Sequence, residues 1–455
     1  MQIKKLWIEK IGSLDNFYLE FPTPSDFHFG NMKLSILVGE NGTGKTSMLK
    51  FLSEVFMADN VKNKFRSSYN IDYEINNKVS RISPLNHNVS YLPSKIIVSS
   101  YSAFEPFNPK APKNSSEVQY VYLGTLGQLP IGLPGHMGPF ASLSSVCIPI
   151  LETLFHNDLR KSTAINELLN EIGYVEMPLI QISFIQSENY LSSRLDTLRK
   201  NGITEDKIEE INYFLNRLHT FHRDFLNIKR VGGRHLIDPE SLNHYYGGAK
   251  GWLSDVRHLA NLPGGINIVK SLSFRKNNEL VPLNKLSSGE LSMFFRFFKL
   301  IDAISDDALV LIDEPETHLH PRWIQKYLSM INSIFGQYKA HFIVATHSPL
   351  IAADVPNECI IGLRKNTHGK VVQYQVQERT LGTSPQEILR EVFGLSNQHG
   401  DFTNHTISQI NELIDMDKIE LAQALYNYLG ESDEKFNIFL RLKKIRDKVN
   451  NNVEN

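Results

Sequence analysis

Cysteine is almost missing from this chain. Its 455 residues contain two, Cys147 and Cys359, far apart and in no CxxC pair. That excludes a disulfide framework and a zinc ribbon. No uncharged apolar run approaches the roughly 18–20 residues that span a bilayer. The opening MQIKKLWIEKIG alternates like a strand and offers no signal-peptide core. Net charge is lacking too: 48 basic and 49 acidic side chains leave -1. Affinity for nucleic acid or an anionic membrane would have to come from a local patch. With 41% hydrophobic and 21% charged residues, the composition is that of a globular protein with room for two or three domain-sized units. The expectation is a cytoplasmic protein with no membrane span.

One segment stands out from that background. Gly39-Glu40-Asn41-Gly42-Thr43-Gly44-Lys45-Thr46 is a full GxxxxGK[ST] match, preceded by the apolar run Leu34–Val38 and followed by a helical pattern from Thr46 to Phe56. Glycines let successive backbone N–H groups turn inward around a phosphate, and the helix N-terminus adds partial positive charge. Lys45 is placed to reach the β/γ-phosphates and the Thr46 hydroxyl to ligate Mg²⁺. The candidate nucleotide-binding residues are Glu40, Asn41, Gly42, Thr43, Gly44, Lys45, Thr46 and Ser47, and the cofactors they imply are ATP and Mg²⁺.

Far downstream, Ala308-Leu-Val-Leu-Ile312 runs into Asp313-Glu314. Such a run reads as a buried parallel strand delivering carboxylates at its C-terminal end. Asp313 is the candidate metal-shell residue, and Glu314 the candidate for polarising an attacking water. Between the two constellations lies Leu286-Ser287-Ser288-Gly289-Glu290, ahead of an apolar helical run. By itself this string reads equally as an anion site or as a plain helix N-cap. After Glu314 come Pro315-Glu-Thr-His318-Leu-His320-Pro321, a helical pattern from Trp323 to Phe335, and the apolar strand His341–Ala345 ending in Thr346-His347-Ser348. His318 and His320 read as loop residues, because no acidic or cysteine partner follows at ligand spacing.

The order of phosphate loop, long interval, LSSGE, acidic strand and ATHSPL resembles the ABC-type ATPases, over roughly residues 1–105 and 265–395. The LSSGE, DEPETHLHP and ATHSPL strings are similar to the soluble branch. That branch comprises structural-maintenance and recombination ATPases, overcoming-lysogenization-defect nucleases, and stand-alone ATPases of bacterial anti-phage systems. Septu-type ATPases look most similar and PARIS-type ones are close behind. The resemblance implies an α/β fold: an ABC-type P-loop ATPase head, a mixed sheet with flanking helices, carrying a helical insertion and a helical C-terminal tail. It implies that His347 is a switch histidine at the γ-phosphate. It further implies that Ser287, Ser288, Gly289 and Glu290 form a signature loop acting in trans. Two ATP molecules would then be sandwiched in a head-to-tail homodimer, which could build into a larger oligomer. A separately encoded nuclease, of H-N-H or toprim type, would be the partner. A DNA-repair ATPase of the recombination type is the second reading and a transporter subunit the third.

One departure stands against the pattern. The family's glutamine loop should follow the strand Lys95–Phe104, which holds no glutamine; Gln119 and Gln128 come later and neither can be assigned. The expected division is an ATPase lobe over 1–105, a mainly helical insertion over 106–264, a second ATPase lobe over 265–395 and a helical tail over 396–455. Within the insertion, Arg217, Arg223, Lys229 and Arg230 gather with histidines and with Phe214, Phe221 and Phe225, opposed locally by Asp224 alone. A DNA-contact surface and the solvated face of an amphipathic helix are the two readings. In the tail, Asp415-Met-Asp417 has the spacing of a toprim pair but no strand before it, so a polar turn is expected, with no nuclease site on this chain.

Overall fold

A computed structural model describes the chain except residues 23–28, 58–66, 86–90, 102–106, 109–117, 125–138, 156–157, 183–187, 225–228, 232–233, 247, 263–266, 396–398 and 454–455. It divides into two units, Met1–Ser384 and Pro385–Asn455. Among the described residues no helix is long and apolar enough to cross a membrane.

The first unit opens with β1 (Gln2–Ile11), β2 (Leu14–Glu20), β3 (Lys33–Gly39), α1 (Lys45–Val55), β4 (Tyr69–Ile75), β5 (Lys78–Ile82), β6 (Lys95–Ser100) and β7 (Gln119–Tyr122). The insertion follows as α2 (Pro139–Leu154), α3 (Leu159–Glu171), β8 (Val175–Ile182), α4 (Glu188–Lys200), α5 (Glu205–Asp224), β9 (Lys229–Val231), β10 (Arg234–Ile237), α6 (Pro239–Tyr245) and α7 (Ala249–Asn261). The chain then returns through β11 (Val269–Lys276), β12 (Glu279–Pro282), α8 (Ser288–Ala303), β13 (Leu309–Asp313), α9 (Pro321–Phe335), β14 (His341–Ala345), α10 (Pro349–Ala352), β15 (Ile360–Lys365) and β16 (Val371–Gln375). The second unit holds α11 (Pro385–Glu391), α12 (Asp401–Asp415), α13 (Ile419–Tyr426) and α14 (Asp433–Val453), closed around Ile410, Ile414, Ala422, Ile438 and Leu442.

The central sheet has seven strands in the order β16-β15-β3-β14-β13-β6-β7. All of its pairs are parallel except the antiparallel edge β15–β16. Its middle strands are apolar on both faces because both are covered. On one face Leu37, Leu309, Leu311, Ile343 and Ala345 share a core with Met48, Phe51 and Leu52 of α1. Over α1 lies a second, antiparallel sheet, β2-β1-β4-β5, with Phe51 edge-on to Tyr69 and Phe56 edge-on to Tyr73. A register shift between Ile3 and Lys5 explains why Ile3, Leu6 and Ile8 are all buried although strict alternation would separate the first from the others. On the opposite face Phe342 packs on Phe335 of α9, which stacks with Phe297 of α8. This is an α/β fold, a mixed sheet with helices on both faces.

The insertion is less purely helical than its sequence suggests. β8 pairs with β11, and the five-stranded order β12-β11-β8-β10-β9 joins the insertion to the segment that leads into α8. Pro178 breaks up β8 as a sequence pattern, since a proline demotes a run from strand. In the fold it falls in a bulge, between the pairs Ser273–Leu179 and Arg275–Val175. β9 and β10 have three and four residues, too short to show a period. The first unit ends at Ser384, so α11 lies in the second unit.

His341 gives the fold a titratable weak point. Its Nδ1 accepts the Ile3 N–H at 3.1 Å, so the neutral ring carries its proton on Nε2, 3.0 Å from Ser35 Oγ. Burial, helped by nearby cations including Lys4 and Lys33, pushes its pKa from 6.5 down to about 3. Between those values the unfolded chain takes up a proton that the folded chain refuses, so stability falls as pH drops through that window. Urea midpoints measured from pH 7 to pH 4 are expected to fall more steeply for the wild type than for His341→Gln. Parallel slopes would contradict this.

Candidate nucleotide site

Parallel strands bring their carboxyl ends to one edge of a sheet, and the crevice beyond that edge is where ligands bind. Here the register sets Asp313 beside both Ala345 and Ser100, and Ala345 beside Leu37. The phosphate loop after β3, the acidic turn after β13, His347 after β14 and Tyr101 after β6 therefore meet at one place.

The loop has the backbone of an anion cradle. Gly39, Gly42 and Gly44 have φ of 153, 76 and 83°, conformations that suit glycine. A Cβ at Gly39 would stand 2.3 Å from the Leu363 carbonyl oxygen, and one at Gly44 2.9 Å from Leu14 Cδ2 and Ser13 Oγ. Asn41 and Gly42 form the exposed crown, Thr43 is buried, and Thr46 and Ser47 are half-buried in the first turn of α1. The Glu40 carbonyl accepts from Thr43 Oγ1 at 2.8 Å and from Lys45 Nζ at 3.2 Å, and the Gly39 carbonyl accepts from Lys45 Nζ at 2.8 Å. Burial lowers the Lys45 pKa to about 8 against the opposing pull of Asp313, Glu314 and Glu316. An anion brought to this ammonium would favour its charged form.

Thr46 and Asp313, 267 positions apart, are joined directly. Thr46 Oγ1 donates to the Asp313 carboxylate at 3.0 and 3.1 Å to its two oxygens. Burial raises the Asp313 pKa to about 7; the Thr46 bond lowers it, while Glu314 and Glu316 raise it further. Among the described residues no group of three or more His, Cys, Asp or Glu could cage a metal. One carboxylate and one hydroxyl fit Mg²⁺, which ordinarily completes its shell with phosphate oxygens and waters.

Glu314 sits at φ 49°, a left-handed conformation that costs a non-glycine residue about 1–3 kcal/mol and persists only where its surroundings enforce it. The Glu314 N–H donates to the Ala345 carbonyl at 2.9 Å, and its own carbonyl accepts the Thr317 N–H at 3.1 Å. Its carboxylate is half-buried. His347, also half-buried, lies close enough to Lys45 and Glu314 to feel both; burial, then Lys45, lowers its pKa while Glu314 raises it.

Three residues outside the sequence reading complete the site. Glu316 Oε1 accepts the His347 backbone N–H at 2.6 Å, tying the acidic turn to the histidine loop. Its Oε2 is shielded from solvent with no bonded partner, and burial raises its pKa. Arg296 of α8 is buried and donates to the Pro315 carbonyl at 2.6 Å and the Thr317 carbonyl at 2.7 Å. Its guanidinium lies 3.6 Å from the ring centre of Tyr101. Tyr101 thus stands just past the strand where a glutamine loop was expected. Gln119 begins β7, and Gln128 lies outside the described residues.

The signature string forms the start of α8. Ser287 is its N-cap in a reciprocal capping box with Glu290, and Glu290 also pairs with Lys276 of β11. Ser287 and Ser288 are exposed. A Cβ at Gly289 would come 2.9 Å from Trp323 Nε1, so this glycine admits the indole of α9. α8 and the phosphate-loop helix α1 lie on opposite faces of the central sheet. His320 caps α9 by accepting the Arg322 N–H at 3.2 Å, a structural use.

The basic cluster is reshaped by partners distant in sequence. Arg217 pairs with Asp255 at 3.3 Å and lies over the Tyr246 ring, so the carboxylate committed to it comes from α7. Phe214 packs on His258 and Phe221 on Tyr246, facing protein instead of solvent. The side chains of Arg223, Lys229 and Arg230 lie outside the described residues, as does Phe225. In the tail, Asp415 ends α12 and binds Arg441 at 2.8 Å, as a turn between helices would.

Comparison with known proteins supplies partial matches. The family described as "AAA domain, putative AbiEii toxin, Type IV TA system" matches residues 186–354, which include the signature string, Asp313, Glu314 and His347. The chain is 29% identical to protein ea59 of Escherichia phage lambda over 150 residues, 33% of this chain and 27% of ea59. It is 33% identical to the Septu protein PtuA of Bacillus thuringiensis over 124 residues, 26% of this chain and 31% of PtuA. The chain thus spans under a third of the length of these curated relatives. Among solved structures, the SMC head domain from Thermotoga maritima aligns with 83% of this chain and all of its own, at 14% identity and a TM-score of 0.32.

Glu316 supplies a test of the geometry. Glu316→Ala strands the His347 N–H and is expected to cost about 1–3 kcal/mol. Glu316→Gln keeps the acceptor, removes a charge from a crowded acidic site and is expected to cost less. Urea unfolding of the two variants measures the difference; equal losses would contradict the assigned bond.

Proposed function

We propose that this protein is an ATP-hydrolysing switch. Two copies close head to tail over two molecules of Mg²⁺–ATP, and the closed pair controls a separately encoded effector nuclease in anti-phage defence. The observation that carries the reading is the Thr46–Asp313 joint beside Lys45, which gathers the three groups a magnesium-bound triphosphate needs at one sheet edge. The backbone of Gly39 to Gly44 and the ammonium of Lys45 would hold the phosphates; Thr46 and Asp313 would hold the metal. Bound Mg²⁺ supplies charge neutralisation at the β- and γ-phosphates. Glu314 takes the role of orienting and polarising the attacking water, and His347 that of contacting the γ-phosphate.

Several features favour a composite site. The signature loop heads a helix on the sheet face opposite α1, so it is separated by the sheet from its own phosphate-loop helix. Ser288 is exposed and free of the capping bonds that occupy Ser287 and Glu290. In a second copy's site, Ser288 and Gly289 would cap the γ-phosphate. Each nucleotide then adds affinity for the closed pair alone, which is the condition for shifting an equilibrium. The partial similarity to the Septu protein PtuA favours defence, and a nuclease encoded beside this chain is the partner to seek by pull-down.

Glu314→Gln is expected to keep ATP affinity, lose at least about 100-fold in turnover, as removal of a general base does, and accumulate as a closed dimer in size-exclusion chromatography with ATP. Lys45→Ala is expected to lose nucleotide binding itself. Unchanged turnover in Glu314→Gln would remove Glu314 from the catalytic role.

A further inference from the structure

We propose that Arg296 is a positioning residue that holds Glu314 in its working conformation and makes hydrolysis answer to the signature loop. This deepens the ATPase reading and rests on it. The starting observation is the strained backbone of Glu314, at φ 49°. Something must hold that turn, and its two backbone bonds, to Ala345 and within the turn, secure the main chain only as far as Thr317. The carbonyls of Pro315 and Thr317 point to Arg296, which reaches both with separate guanidinium nitrogens.

The chemistry suits arginine and no other side chain. A planar fork of donors can satisfy two carbonyls of one turn at once, which a lysine's single ammonium cannot do with the same rigidity. The ring of Tyr101 at 3.6 Å fixes the plane of the fork from the other side. Arg296 is 5% exposed and sits in the string Phe294-Phe295-Arg296-Phe297-Phe298, where its neighbours Phe294 and Phe297 are core residues. Burying a cation among phenylalanines is unfavourable unless its hydrogen bonds matter; here both go to the residues that flank the acidic turn.

The helix that carries Arg296 also begins at the signature loop. Ser288 is two helical turns upstream, roughly 12 Å along the axis. At that end Gly289 abuts Trp323 of α9. α8 therefore grips the segment 315–323 twice, by Arg296 near its start and by Gly289 at its end. A partner nucleotide that settles on Ser288 and Gly289 displaces or steadies α8, and the turn bearing Glu314 follows. Hydrolysis would then wait for closure because the water-orienting carboxylate is set in place by the helix that closure engages.

The test compares wild type, Arg296→Gln and Arg296→Lys. Arg296→Gln is expected to lower kcat about 100-fold, the scale of a 1 Å misplacement of a reacting group, with KM and ATP affinity within twofold of wild type. Arg296→Lys should recover part of the loss. Hydrogen exchange over residues 314–320 should quicken at least tenfold in Arg296→Gln, while residues 39–46 keep their wild-type rates. Unchanged kcat, or loss of ATP affinity in step with kcat, would overturn the proposal. If the wild type does not hydrolyse ATP, the ATPase reading fails by itself; unaltered exchange at 314–320 would sink the role of Arg296 whatever the turnover.

Discussion

The structure turns on the hydrogen bond between the Thr46 hydroxyl and the Asp313 carboxylate. It joins the first turn of the phosphate-loop helix to the end of the acidic strand, across 267 residues of sequence. Everything that makes it possible is architectural. β3 and β13 flank β14 in one parallel sheet, so their carboxyl ends emerge side by side. α1 packs against the face carrying Leu309 and Leu311, and Asp313, in phase with them, turns toward it. A one-residue slip of β13 would aim the carboxylate at the other face.

Around that joint the electrostatics are unbalanced. Asp313, Glu314 and Glu316 crowd within reach of one buried ammonium, Lys45, and burial works against the charges of Lys45, Asp313 and Glu316. A site with two carboxylates held toward their neutral forms is poised for added positive charge, which is what a divalent metal carried on a triphosphate brings. The same crowding explains why the turn needs external support. The Ala345 carbonyl, the His347 N–H bonded to Glu316 and the Arg296 fork each hold one part of the peptide that bears Glu314.

Much of this was legible because the strongest sequence signals are local. The runs Leu34–Val38, Ala308–Ile312 and His341–Ala345 are apolar stretches that lead into candidate site residues, and each forms a core strand within a residue or so of its expected bounds. The capping reading of LSSGE was also legible, since a serine followed by glutamate three residues later is a capping box by spacing alone. Other features depend on pairings that sequence spacing does not carry. β8 hides behind Pro178 and finds its partner β11 some ninety residues on. The basic cluster looked opposed by Asp224 alone because Asp255, the partner of Arg217, lies on another helix. Arg296 did leave a trace, a cation inside a phenylalanine-rich helical stripe, and Glu316 left one as a second acid two residues past Glu314. Tyr101 left none, for nothing marks a tyrosine as the cover of an arginine until the fold brings the two together.

The central claim is that each catalytic pocket is shared by two copies of the chain. Mixing a Lys45→Ala chain with a Ser288→Arg chain tests it most directly. Each alone lacks one half of every site, whereas a mixed dimer holds one intact pocket, built from the good phosphate loop of one copy and the good signature loop of the other. The account predicts that the mixture hydrolyses ATP well above the sum of its parts. A mixture no more active than that sum would mean that phosphate loop and signature loop do not meet between copies.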